Sequence, residues 1–153
     1  MKNTILVLFT LVLLISCTSS NQNWSDLNKM NLYDFQGNTT DLNGIKKNWD
    51  KLMDRGDANL SSRSSITAFK TKKIKDNITK EEKLILIAFT DKEKMSGAKE
   101  LISFKDGYKL SSNSVICIDC GFEFKGELAN GNWICAENGE KIENCTRVSI
   151  AEN

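Results

Sequence analysis

Residues 84–90 read Leu-Ile-Leu-Ile-Ala-Phe-Thr. How this run folds decides the class of the whole chain. Apolar side chains occupy both alternating faces, as in a strand covered on both sides. A short helix is the alternative, because Thr79 and Glu82 have the spacing of a capping box just upstream. The run is short and rich in β-branched and aromatic residues, which suit a pleated surface, so it reads as a central strand.

Outward from that strand the elements follow in order. Upstream, Leu42, Ile45, Trp49, Leu52 and Met53 recur at helical spacing and fall within an arc of about 100°. Asp41 offers an N-cap and Gly56 a stop, which predicts an amphipathic helix over 41–55. Lys47, Asp50, Lys51, Asp54 and Arg55 take the polar side, and Trp49 sits at the centre of the apolar stripe as a core residue. Residues 64–75 mix Ile66, Phe69 and Ile74 with Thr and Lys. On an outer strand, Lys70, Lys72, Lys73 and Lys75 would discourage pairing with another edge.

Downstream, residues 100–105 and 108–111 read as a hairpin with Asp106-Gly107 in its turn. Shorter strand-like stretches follow at 115–118, 122–125 and 133–136, with Asn130-Gly131 and Asn138-Gly139 as turn signals. Residues 147–150 make a last strand. One helix followed by a run of strands predicts an α+β fold: an antiparallel sheet with the helix packed on it and a cysteine-cross-linked C-terminal β region.

Composition narrows the chemistry. The 153 residues hold 21 Lys+Arg, 20 Asp+Glu, five Cys, no His and no Pro. Without His there is no Ser–His or Cys–His nucleophile and no imidazole metal ligand. A near-zero net charge argues against a nucleic-acid partner, whose binders are strongly basic. No phosphate-binding Gly-rich loop and no EF-hand loop occurs. The carboxylate pairs Glu81-Glu82 and Asp50/Asp54 lie beside lysines and read as surface residues. No catalytic residue and no cofactor is assigned, and the chain does not read as an enzyme.

The N-terminus carries an address. Lys2 precedes an uncharged apolar run, 5–15, whose length matches a secretory signal and is too short to span a bilayer. Leu14-Ile15-Ser16-Cys17 then resembles the lipobox of bacterial lipoproteins. The resemblance implies cleavage after Ser16 and acylation of Cys17. Two or three acyl chains would anchor the protein stably where one would not. The chain then divides into a signal peptide (1–16), a lipidated polar tether (17–23) and one α+β domain (24–153) with a Cys-rich tail (115–153). Thr18, not Asp, follows the Cys, which by resemblance to enterobacterial sorting suggests the outer membrane, and no acidic cluster of the kind linked to surface export follows Cys17, so the expected position faces the periplasm. The remaining chain has a basic middle and an acidic end. Residues 46–109 hold 16 basic and 10 acidic side chains, and residues 110–153 hold 3 and 7. Either these regions pack together so that their fields cancel, or the middle faces anionic lipid or glycan.

Cys117, Cys120, Cys135 and Cys145 form C-x2-C-x14-C-x9-C. Export and an even count favour two structural disulfides, in any of three connectivities. A thiolate metal site is the second reading, since a CxxC can present two thiolates to one ion. Thiol–disulfide exchange at Cys117-Ile-Asp-Cys120 is the third. It lacks the helix N-terminus that usually lowers such a thiol's pKa, and Asp119 would raise it. The segments Val115–Cys120, Trp133–Cys135 and Cys145–Ile150 also loosely resemble the cysteine-rich ends of small uncharacterised lipoproteins of Flavobacteria. The expected function is a membrane-anchored envelope module that binds a protein or glycan partner without catalysis. A thiol oxidoreductase or metal-binding protein using the CxxC is the alternative.

Overall fold

A computed structural model describes residues 27–56, 64–92, 95–120, 126–137, 140–142 and 144–152. The expected signal peptide, Cys17, the tether, the strand at 122–125 and the Asn138-Gly139 turn lie outside the described residues. A short 3-10 turn, Leu27–Lys29, leads into β1 (Leu32–Tyr33) and β2 (Thr39–Thr40). The helix α1 (Leu42–Gly56) follows. Then come β3 (Ile66–Lys75), β4 (Glu82–Thr90), β5 (Met95–Phe104) and β6 (Gly107–Ile118). The tail contributes β7 (Gly126–Ala129), β8 (Asn132–Glu137), β9 (Glu140–Lys141) and β10 (Thr146–Ala151).

The helix starts where its sequence says it should. The Asp41 carboxylate accepts the Gly44 N–H at 2.7 Å, which satisfies one of the unpaired donors of the first turn. Ile45, Trp49, Leu52 and Met53 are buried, and Leu42 packs beside them. The run at 84–90 is a strand, inside β4 and flanked by β3 and β5.

The large sheet has the order β2-β1-β6-β5-β4-β3, and β10 also pairs with β6. It is mixed, which corrects the expectation of a purely antiparallel sheet: β1 runs parallel to β6. The cause is local. The Tyr108 N–H donates to the Asn31 carbonyl at 2.9 Å, drawing the chain before β1 against the start of β6. A Cβ on residue 107 would collide with that carbonyl, so Gly107 is what permits the approach. β5 pairs with one edge of β6 at 107–110 and 114–118, while β1 and β10 share the other at 108–109 and 113–118. Register shifts at Ile66/Ala68 and Lys99/Leu101 mark bulges that curl the sheet.

Two further boundaries differ from expectation. The stretches read separately as 108–111 and 115–118 form one twelve-residue strand, β6. The β5–β6 hairpin pairs Phe104 with Gly107 and so turns on Lys105-Asp106, with Lys105 at φ 50°. Asp106-Gly107 had been expected in that turn, but Gly107 serves the approach to β1.

Both faces of the sheet are covered. On one, α1 packs over Ile66, Phe69, Leu86, Ala88, Leu101 and Ile116. On the other, the small β7-β8-β9 sheet sets Leu128, Trp133 and Cys135 over Ile85, Ile87, Ala98 and Val115. The alternation along β4 therefore feeds two cores, Leu86 and Ala88 into one and Ile85 and Ile87 into the other. The β7–β8 hairpin turns on Asn130-Gly131, both at positive φ, as the sequence predicts.

Candidate functional site

The four tail cysteines converge. Cys117 bonds Cys135 with Cα atoms 5.9 Å apart, and Cys120 bonds Cys145 at 4.8 Å. The first bond ties β6 to β8, and the second ties the turn after β6 to the residue before β10. The two cysteines of the CxxC thus bond outwards rather than to each other. Asp119, at φ 61°, turns the chain just past the end of β6, so the two thiols leave in different settings. Cys117, Cys120 and Cys135 are buried within the second core, and Cys145 packs partly against it.

The sulfurs of Cys117, Cys120 and Cys135 lie within 4.8 Å of one another. A tetrahedral zinc with bonds of about 2.3 Å separates its sulfurs by roughly 3.8 Å. The cluster is thus close to the size of a thiolate metal site. A sulfur in a disulfide is no thiolate, however, so this chemistry needs reduction of both bonds first.

A buried carboxylate fastens the small sheet from the other end. Asp76, in the β3–β4 turn, accepts N–H groups from Gly131 at 2.7 Å and Asn130 at 2.9 Å. It also accepts Ile78 N–H at 2.8 Å and Thr79 N–H at 2.9 Å. These donors, Gly131 foremost, hold its pKa far below the usual carboxylate range. The Asn77 N–H adds a bond to the Leu128 carbonyl at 2.7 Å, and its side-chain amide one to Glu127 at 2.6 Å.

The helix-covered core holds a different charge. Lys99 of β5 is 2% exposed and pairs with Glu152, next to the C-terminal residue. Its ammonium lies 5.9 Å from the centre of the Trp49 ring, and burial pushes its pKa down to about 8. The recess nearby, between Trp49, Met53, Gly97 and Ser114, has room for about one water molecule and offers no small-molecule pocket.

At the β5–β6 hairpin, the Tyr33 hydroxyl donates to Asp106 at 2.6 Å and the Asn31 amide donates to it at 2.7 Å. The Tyr33 hydrogen bond pulls the Asp106 pKa down, and Asp106 pushes the Tyr33 pKa up. This cluster clips the hairpin to β1. Asp50 is more than a surface residue. It accepts the Ile66 N–H at 2.9 Å and pairs with Lys46 at 3.1 Å, fixing α1 to the start of β3. Glu81 and Glu82 are exposed, as expected.

Sequence reasoning missed Asp76 and the Lys99–Glu152 pair. For Asp76 the signal was an Asx residue directly after a strand, but two of its four partners, Asn130 and Gly131, lie more than fifty residues away. For Lys99 it was a cation within a ten-residue strand whose first seven residues are buried or half-buried.

In comparisons with known proteins, no family model, no curated protein and no solved structure matches the chain. Among the described residues, no helix is long and apolar enough to cross a membrane.

Proposed function

We propose that this chain is a bacterial lipoprotein, lipid-anchored through Cys17 at the outer membrane and facing the periplasm. In this reading, residues 1–16 are removed, residues 17–23 form a tether, and the folded body is a non-enzymatic module that binds an envelope protein or glycan. The carrying observation is Leu14-Ile15-Ser16-Cys17 directly behind an uncharged apolar run. The two disulfides support it, because such bonds persist in the oxidising compartments that an exported chain enters. They also weigh against a thiol-exchange function. A CxxC catalyst closes and reopens a bond between its own two cysteines, and here each is bonded elsewhere.

The proximity of the tail sulfurs gives the metal-binding reading one observation in its favour. Stoichiometric zinc with four free thiols, after anaerobic isolation from the native cells, would establish it over the disulfide reading. For the anchor, the Cys17→Ala chain is expressed in a bacterium and fractionated. Unprocessed precursor and loss of acyl labelling are expected. Unchanged processing and membrane association would contradict acylation at Cys17. Cross-linking in native cells followed by recovery of the anchored protein would identify the partner.

A further inference from the structure

The basic middle of the chain concentrates on one strand. β3 stands at the outer end of the large sheet, and its sequence Ile66–Lys75 holds four lysines and no acid. Lys70, Lys72, Lys73 and Lys75 are all exposed, and so is Lys80 in the turn that follows. Lys70 lies over the Phe89 ring at 5.4 Å, and Lys80 donates to the Asn77 carbonyl at 2.6 Å. Both contacts leave the positive charge uncancelled. Lys72 and Lys73 stand opposite Ile85 and Leu84, with no acid across the ladder.

The acids nearby offset part of this charge, since neutral N–H and amide partners leave the Asp76 and Glu127 carboxylates ionised. Asp76 is buried among four N–H donors. Glu81 is held by Lys83, which also takes Glu100. Glu127 is held by Asn77. Glu82, opposite Lys75, is exposed and offsets a third charge, which leaves the five lysines in excess. Lysines on an outer strand also oppose strand addition, so this edge is poorly suited to a protein that would extend the sheet.

A second feature lies at the end of the same edge. Ile78, in the β3–β4 turn, is 66% exposed, the most exposed large apolar side chain among the described residues. Asp76 fixes the backbone of this turn through the Ile78 and Thr79 N–H groups, so the tip is held rigidly outward. Between Lys70 and Lys75 the strand extends roughly 17 Å, and its alternation sets Lys70 and Lys72 on one side of the edge and Lys73 and Lys75 on the other, with the apolar tip at its end. An edge lined by cations suits a plane of phosphates. An apolar tip at its end suits the acyl boundary just beneath them.

We infer that the β3 edge and the β3–β4 turn form a docking surface for an anionic phospholipid bilayer, with Lys70, Lys72, Lys73, Lys75 and Lys80 on the headgroups and Ile78 at the interface. The inference extends the lipid-anchor reading by giving the domain a membrane-facing edge. It does not need the anchor, and its test leaves the anchor out.

The chain from residue 17 onward, carrying Cys17→Ser so that no acyl group contributes, is sedimented with vesicles. Phosphatidylglycerol-containing vesicles should bind it and pure phosphatidylcholine vesicles should not. Raising the ionic strength from about 0.05 to about 0.5 M should release it, since screening shortens the reach of exposed charges. Inorganic phosphate at matched ionic strength should release no more than chloride does. Lys72→Glu/Lys73→Glu/Lys75→Glu should lower partitioning at least roughly tenfold. Ile78→Ser should lower it a few-fold at every salt concentration. Lys47→Glu/Lys51→Glu/Lys109→Glu makes the same charge change elsewhere and should retain most of the binding. Near-ultraviolet circular dichroism confirms that each variant is folded. No binding to anionic vesicles, equal binding to neutral ones, or equal loss in the two triple variants would overturn the inference. The Cys17→Ala processing experiment stands separately, so either result can fail alone.

Discussion

The two faces of the large sheet are closed in different ways. Over one lies α1, which brings Ile45, Trp49, Leu52 and Met53 down onto a broad apolar surface. That contact is mainly hydrophobic area, with Asp50 and the Asp41 cap fixing the helix in place. Over the other lies a three-stranded sheet whose large buried apolar side chains are Leu128 and Trp133. So small a layer buries little, and the Cys117–Cys135 disulfide and Asp76 supply what area does not, with Cys120–Cys145 closing β6 onto β10 beside it. A layer rich in large side chains is held by its own periodic pattern. A layer poor in them is held at a few named atoms.

This contrast can be broken from either side. The largest effect expected is on the helix side. Trp49→Ala should cost about 3–5 kcal/mol, because it empties the centre of the first core. Denaturant unfolding should show the whole large sheet losing stability together.

Next is the other face. Cys117→Ala/Cys135→Ala should cost about 2–4 kcal/mol through the lost cross-link. Amide exchange should rise first in β7 and β8 and leave β4 and β5 protected. Uniform loss of protection would show that the two layers do not differ in the way described.

Asp76→Asn should lower the melting temperature by roughly 5 °C, since an amide turns its own N–H groups toward backbone donors. The wild-type pH profile gives the sign. The Asp76 pKa is depressed on folding, so its contribution is full above the unfolded value of about 3.9 and is lost as the pH falls below it. The substitution should therefore flatten the acid limb of melting temperature against pH.

The smallest effect is expected at Lys99 and Glu152. Replacing both, as Lys99→Met/Glu152→Gln, should change stability by no more than about 1 kcal/mol, because burying the pair costs much of what its attraction returns. A double-mutant cycle with each single variant would separate the coupling from the burial.

The same contrast explains what the sequence made legible. The helix was readable because Asp41 and the apolar stripe are local signals within one stretch of chain. The β4 strand was readable because both of its faces are apolar, and both turn out to be covered. The parallel β1 was not readable, since a two-residue strand has no period. The unity of β6 was hidden by the polar run Ser111-Ser112-Asn113-Ser114, where β10 joins its edge and Ser114 is buried. In the tail, the cysteines announced cross-links, but their spacing left three pairings open. Pairing depends on which strands stack across the sheet, and that is set by residues far from the cysteines themselves. Asp76 shows the same limit, with a local turn visible in sequence and its tie to Asn130 and Gly131 invisible.

The central claim is that the tail cysteines are structural ties, Cys117–Cys135 between the two layers and Cys120–Cys145 between β6 and the start of β10 beside the small sheet. The most direct test is peptide mapping without reduction, after alkylation of free thiols and digestion with trypsin and an enzyme that cleaves before Asp. Cleavage before Asp119 separates Cys117 from Cys120. The account predicts peptide 110–118 bonded to 126–141, peptide 119–125 bonded to 142–147, and no alkylated tail cysteine. A bond between Cys117 and Cys120, or four alkylated tail thiols, would contradict it.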